Sequence, residues 1–124
     1  MSLDYVLVAA GAASSKTVDP TVVLDVGDLL GITDHFVITS GSNARQVRTI
    51  AEEVELHVKA RGGGSPRHIE GLDDARWVLL DYGEFVVHVF LEEARRYYDL
   101  ERLWADAPRV EQPHWAARRV GVES

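Results

Sequence analysis

Gly41 and Ser42 stand between a β-branched segment and an amphipathic segment, where they could hold a phosphate group. Amides in the first turn of a helix attract anions, and nucleotidyltransferases use a Gly-Ser pair in this setting to hold a nucleotide. Those enzymes also need two carboxylates on a strand for their metal ions. The candidate pair, Glu53 and Glu55, lies inside the amphipathic segment, which is predicted to be a helix. Side chains two residues apart on a helix point about 200° apart, so these two carboxylates cannot share a metal ion. The pattern therefore favours a turn and a helix cap over a nucleotide site.

His88 and Asp81 are candidates for a general base and a general acid. Alternation along the strand places His88 on one face with Val86 and Phe90, which is typical of a hydrogen-bonded structural histidine. Asp81 precedes a turn at Gly83, where an aspartate commonly accepts hydrogen bonds from turn amides. The histidines do not follow the spacing of metal ligands. We therefore expect no metal, no cofactor and no enzymatic activity.

Aromatic and arginine side chains are concentrated in WVLLDYGEFVVHVFLEEARRYYDLERLW, residues 77–104. Its helical part predicts two adjoining apolar stripes, one of Leu91, Ala94 and Tyr98 and the other of Tyr97, Leu100 and Trp104. Both stripes could be core, or one could pack on a sheet while the other faces a partner. Trp, Tyr and Arg are the side chains that dominate binding energy at protein interfaces. The residues alone leave both interpretations open.

The elements that must position these residues follow the order α-β-β-α-β-β-β-α. They are a helix over 2–16, strands over 21–26 and 35–41, a helix from Ser42 or Asn43 to the glycines at 62–64, strands over 67–72, 77–82 and 85–91, and a helix over 92–106. A hairpin is expected at Gly83-Glu84. The class is α/β, with a mixed β-sheet flanked by helices. We expect one domain over residues 1–106 and a mobile C-terminal tail over 107–124.

Composition narrows the possible partners. The formal net charge of −7 opposes binding to nucleic acid, which requires clustered bases, so we expect little direct contact with it. The absence of cysteine excludes disulfides and thiolate chemistry. The apolar run YVLVAAGAAS is too short for a membrane span and lacks the basic flank of a signal peptide. A soluble, cytoplasmic protein is expected.

Two segments resemble the ribosomal silencing factor family, also called the Iojap or RsfS family. One is VVLDVGDLLGITDHFVITSGSNARQVRTIAEEV, and the other is the 77–104 stretch with its pattern W...D.G..VVHVF..E.R..Y.LE.LW. Together they cover most of residues 20–105, and the tail after Ala107 looks like an extension that the family pattern does not require. The resemblance implies a fold similar to that of nucleotidyltransferases without their activity, because fold does not imply function.

The resemblance further implies a translational repressor. Such a protein binds the large ribosomal subunit through ribosomal protein L-fourteen and sterically blocks joining of the small subunit when nutrients are scarce. It also implies a homodimer when free. The residues that match the family pattern, and are therefore expected to form or support the docking surface, are Trp77, Asp81, His88, Arg95, Tyr98, Leu100 and Trp104.

Within this set, Trp77 and Tyr98 are the expected anchors, and Asp81 could pair with a basic group of the partner. Leu100 and Trp104 could equally pack between helix and sheet, and His88 could brace the hairpin. The acidic charge suits a basic ribosomal protein. The alternative function is a nucleotide-binding enzyme of the nucleotidyltransferase class that uses Gly41-Ser42.

Overall fold

The structure is a computed structural model and describes residues 2–112. Its helices are α1 Ser2–Ser14, α2 Gly27–Leu30, α3 Ala44–Ala60, α4 Glu92–Tyr98 and α5 Leu100–Leu103. Its strands are β1 Val22–Asp25, β2 His35–Gly41, β3 His68–Glu70, β4 Trp77–Asp81 and β5 Phe85–Leu91. Among these residues no helix is long and apolar enough to cross a membrane.

The strands form one five-stranded mixed sheet in the order β1-β2-β5-β4-β3. Strands β2 and β5 are parallel, and the other neighbouring pairs are antiparallel. Helix α3 carries the chain from β2 across the sheet to the edge strand β3. Strands β4 and β5 then return by antiparallel steps, so β5 lies beside β2 and parallel to it. The predicted mixed sheet with flanking helices is confirmed.

Helices α1 and α3 cover one face of the sheet. The predicted amphipathic character of α3 is confirmed, since its apolar residues recur at helical spacing and are all buried: Val47, Ile50, Ala51, Val54 and Val58. The side chain of Asn43 caps this helix by accepting a hydrogen bond of 2.8 Å from the Gln46 amide. A cap of this kind contributes about 1 kcal/mol to helix stability. Helix α1 ends at Ser14, two residues earlier than expected.

The β4–β5 hairpin is also confirmed. Asp81 pairs with Val86, and the Tyr82 amide donates to the Phe85 carbonyl at 2.9 Å. Phe85, Val87 and Val89 belong to the core under α1 and α3, whereas Val86 and Phe90 belong to the cluster on the other face. The predicted alternation therefore divides this strand between two packed layers.

Two elements differ from the prediction. The segment Gly27–Leu30, expected as loop, forms the single turn α2. The last helix, expected to be continuous over 92–106, is interrupted at Asp99, whose φ of 50° lies in the left-handed region. One turn is too short to produce a periodic pattern, and an aspartate in place of glycine gave no sign of a helix end.

The expected domain boundary after residue 106 is too early. Ala107 is buried, the Asp25 amide donates to the Pro108 carbonyl at 2.8 Å, and the Val110 amide donates to the Val23 carbonyl at 2.8 Å. Residues 107–112 therefore lie along the outer edge of β1. There they form hydrogen bonds with backbone groups of β1 that β2 does not pair. The remainder of the predicted tail, 113–124, lies outside the described residues.

Candidate docking surface

The second face of the sheet carries most of the residues that the sequence singled out. Its floor is a buried apolar cluster formed by residues of β1, β2, β5, α4 and α5, together with Val26 and Ala107. Among residues 2–112, the short helices α4 and α5 and part of the α2 segment pack against it, and several aromatic side chains at its border keep solvent exposure. We call the surface formed by Trp77, Tyr97, Tyr98 and Trp104 the aromatic surface.

His88 lies near the centre of this face, on strand β5. It is buried, and its Nδ1 accepts a hydrogen bond of 3.1 Å from the indole Nε1–H of Trp77. The ring of Phe36 meets it edge-on with a centroid distance of 4.6 Å. Burial among uncharged rings lowers the pKa of His88 to about 4, so the imidazole is neutral at pH 7. Because Nδ1 accepts, the proton is on Nε2, and this atom has no partner among the described residues.

The hydrogen bond with His88 fixes the orientation of Trp77 at the border of the cluster. The ring of Trp77 also packs on Phe90, with centroids 4.9 Å apart, and on Tyr98, with centroids 4.7 Å apart. Trp77 is partly exposed and Tyr98 is 45% exposed. The neighbouring Tyr97 is 79% exposed and meets Tyr98 edge-on. Trp77 and Tyr98 are therefore oriented by contacts within the fold while part of their surface remains open to solvent.

Trp104 lies on the same face but packs against Phe36 of β2. Its ring meets Phe36 edge-on at 5.9 Å, and the side chain is partly exposed. Leu100 is buried in the cluster, which matches the helix–sheet packing that was one of its two predicted roles. Phe36 links Trp104 to His88 and was not singled out from the sequence. Strand alternation is the signal that could have found it, because it puts Phe36 and Ile38 on one face.

Arg95 is committed to contacts within the fold. Its guanidinium makes a bidentate pair with Glu101, at 3.0 and 3.2 Å, and donates to the Pro20 carbonyl at 2.6 Å and to Ser40 Oγ at 2.9 Å. A planar fork can satisfy all these acceptors at once, which a lysine cannot do. Arg95 therefore ties α4 to α5, to β2 and to the segment before β1, and it supports the surface from its side.

Asp81 lies at the far end of strand β4. It is four residues from Trp77 on the same face, which corresponds to roughly 13 Å along a strand. Its Oδ1 accepts a 2.8 Å hydrogen bond from the Gly83 amide, as an aspartate before a turn commonly does. The structure therefore brings Trp77, His88, Tyr98 and Trp104 together with Leu100 beneath them, and places Arg95 and Asp81 at the periphery.

The Gly41-Ser42 pair has a structural use. Both the amide and the hydroxyl of Ser42 donate to Gln46 Oε1, at 2.6 and 2.9 Å, and a Cβ at position 41 would lie 3.1 Å from the same side chain. The Ser42 amide and hydroxyl are thus already bonded within the fold. Glu53 and Glu55 lie on α3 as expected, and within residues 2–112 no three acidic or histidine side chains are grouped to hold a metal ion.

Comparison with known proteins places this fold in a family. A family model described as "Ribosomal silencing factor during starvation" matches residues 2–123, which include the segment that sequence analysis left outside the family pattern. The ribosomal silencing factor RsfS of Bacillus subtilis is 41% identical over 101 residues, 82% of this chain and 85% of the relative.

Two crystal structures share the fold. A protein from Chromobacterium violaceum superposes with a TM-score of 0.77 at 28% identity, over 96% of this chain and 95% of that one. A protein from Bacillus halodurans superposes with a TM-score of 0.73 at 36% identity, over 88% of this chain and 98% of that one. With the family model matching nearly the whole sequence, the chain belongs to the ribosomal silencing factor family.

Proposed function

We propose that this protein represses translation by binding the large ribosomal subunit through ribosomal protein L-fourteen, so that the small subunit cannot join. The observation that carries the proposal is the aromatic surface, where Trp77 and Tyr98 are fixed by the fold yet partly exposed. The names of family members refer to ribosomal silencing. A bound protein on the joining face would block the second subunit sterically, without any chemical step.

Rigid aromatic side chains suit this role because they lose little conformational entropy on binding. Trp77 is held by the His88 hydrogen bond and by two ring contacts, so much of the ordering cost is already met in the free protein. The formal charge of −7 favours a basic ribosomal protein over ribosomal RNA. We therefore assign Trp77, Tyr98 and Trp104 to contact, and His88, Arg95, Leu100 and Asp81 to support.

Further parts of the proposal follow from family membership. The protein is a regulator and not an enzyme, acts in the cytoplasm and forms a homodimer when free. Its fold is similar to that of nucleotidyltransferases, which is supported by the mixed sheet and by the Gly41-Ser42 turn before α3. The use of Ser42 as a partner of Gln46 argues against retained nucleotide transfer.

The test is sedimentation of purified ribosomal subunits at a Mg²⁺ concentration that permits joining. We expect the protein to reduce the joined-particle peak and to migrate with the large subunit. Trp77→Ala and Tyr98→Ala should each weaken binding to L-fourteen, by roughly 2–4 kcal/mol if they act as buried interface anchors. Leu56→Ala is the matched control, because Leu56 is 64% exposed on α3, on the opposite face of the sheet.

Normal joining, with no protein on the large subunit, would refute the proposed function. If the protein blocks joining but both aromatic variants bind like the wild type, the docking surface is misplaced while the function stands. Circular dichroism of each variant separates loss of binding from loss of folding.

A further inference from the structure

The segment between β1 and β2 exposes two large aliphatic side chains. Leu29, on the single turn α2, is 51% exposed, and Ile32, just after it, is 83% exposed. We call residues 25–34 the α2 loop. A pair of large aliphatic side chains at a loop tip gains free energy when a partner covers it.

The α2 loop is held in a defined conformation. The Val26 amide donates to the Asp34 carbonyl at 2.9 Å, and the Gly31 amide, in a left-handed residue, donates to the Gly27 carbonyl at 3.0 Å. Leu30 packs against the apolar cluster on the second face of the sheet. Because that cluster also carries Trp77 and Trp104, the loop borders the same face as the aromatic surface. Leu29 and Ile32 therefore project from a rigid base.

The surroundings of these two side chains are acidic. Asp25, Asp28 and Asp34 of the loop are exposed, and the Glu84 carbonyl accepts the Asp34 amide, which brings a fourth exposed carboxylate close by. The sequence has no lysine or arginine between Lys16 and Arg45. Two arginines of the described residues come near: Arg109 lies opposite Leu24 in a β-bridge, and Arg67 lies beside the turn at Gly83.

We propose that the α2 loop is a second contact for a basic protein, namely the same large-subunit protein that the aromatic surface binds. This inference rests on the proposed function. Leu29 and Ile32 enter an apolar depression of the partner, and the loop carboxylates face lysines or arginines at its rim. Ribosomal RNA does not fit, because four carboxylates would face phosphates. A second copy of this chain fits poorly, because a two-fold contact would bring one acidic loop against another.

The two components of the contact predict different kinetic effects. Burial of the aliphatic pair acts mainly on dissociation, whereas rim charges act mainly on association and on its salt dependence. The experiment follows binding of purified large subunits, and of isolated L-fourteen, to the immobilised full chain at two salt concentrations. One variant combines Leu29→Ser with Ile32→Ser, and another combines Asp28→Asn with Asp34→Asn.

Matched controls come from other parts of the surface. Val18→Ser changes an aliphatic side chain that is 81% exposed, close to the exposure of Ile32. Asp73→Asn combined with Asp74→Asn removes two exposed carboxylates from the loop before β4. All four loop positions are exposed, so the variants should fold, and their melting temperatures check this.

We expect the aliphatic variant to dissociate roughly tenfold to a hundredfold faster, as loss of one or two buried aliphatic contacts would predict. The acidic variant should associate about threefold to tenfold more slowly at low salt, with the difference lost at high salt. Both controls should bind like the wild type.

Loop variants that bind like the wild type, while Trp77→Ala does not bind, would overturn this inference and leave the proposed function intact. Tighter binding of the acidic variant to large subunits would place the loop against RNA and would also overturn it. A wild-type chain that binds neither large subunits nor L-fourteen would remove both proposals together.

Discussion

Protonation of His88 should destabilise the fold at acidic pH. Its folded pKa, lowered to about 4 by burial, lies below the unfolded value of 6.5. Unfolding therefore takes up a proton between these two values, because the exposed imidazole is the stronger base. This contribution to stability is fully present above pH 6.5 and is lost as the pH falls towards 4.

The size of the effect follows from the same two values. A difference of one pKa unit corresponds to 1.36 kcal/mol, so the complete loss amounts to about 3 kcal/mol. At pH 5 the unfolded imidazole is almost fully protonated and the folded one is almost fully neutral. The free energy of unfolding should then be about 2 kcal/mol smaller than at pH 8 from this group alone.

The assay is urea unfolding, followed by tryptophan fluorescence, at pH 8 and pH 5. His88→Asn is the reference variant, because its side-chain oxygen can accept the Trp77 indole N–H in place of Nδ1 and carries no titratable proton. Other titrating groups contribute equally to both proteins and cancel in the difference. The free energy of unfolding of the wild type minus that of the variant should be about 2 kcal/mol smaller at pH 5 than at pH 8.

A difference between wild type and His88→Asn that stays constant from pH 8 to pH 5 would refute this reasoning. It would mean that the folded imidazole titrates as it does in the unfolded chain. Burial among Phe36, Trp77 and Phe90 would then not exclude the charged form.

Three further variants test the support of the surface. Gly71→Ala should lower the free energy of unfolding by more than about 2 kcal/mol in urea titrations, because a Cβ there would lie 2.1 Å from the Trp77 carbonyl oxygen and φ is 88°. Arg95→Lys should cost about 2 kcal/mol in the same assay, since it loses the bidentate pair with Glu101. Asp99→Gly should raise the free energy of unfolding by about 0.5–1 kcal/mol, and with it the melting temperature, because glycine adopts a φ of 50° without strain.

For each of these variants, one outcome would contradict the physical argument behind the prediction. A stable Gly71→Ala would show that the β3–β4 connection can shift away from Trp77. An Arg95→Lys protein as stable as the wild type would show that the guanidinium contacts add nothing beyond a single charge. A lower melting temperature for Asp99→Gly would show that the aspartate carboxylate contributes more than the strain costs.

Local pattern was sufficient for the long helix α3 and for the β4–β5 hairpin. Helix α3 was predicted because its apolar residues recur at helical spacing and Asn43 marks its start. The hairpin was predicted because two β-branched runs flank a glycine. Both signals depend on residues close in the chain, which is why a single sequence contains them.

Features that depend on distant residues were missed. The pairing of residues 108–110 with β1 joins segments more than eighty residues apart. Two prolines interrupt any strand pattern in this part of the sequence, so it was predicted to be a tail. Of the candidate site, the sequence supplied the aromatic set, whose contact with a partner stays a prediction, but it did not supply the full division into proposed contact and support residues. That division depends on partners such as Glu101 for Arg95 and the Trp77 indole for His88, which only the folded arrangement identifies.

The two borders of the sheet are treated differently by the chain. At β1 the open backbone groups are occupied by residues 108–110, so an extended segment of another molecule finds no free ladder there. The opposite border is β3, which has three residues and ends in the charged Glu70. Within residues 2–112, growth of the sheet by stacking of copies edge to edge is therefore blocked at one side and limited to three residues at the other. A protein with this arrangement can accumulate in its free form while resisting polymerisation through its strands.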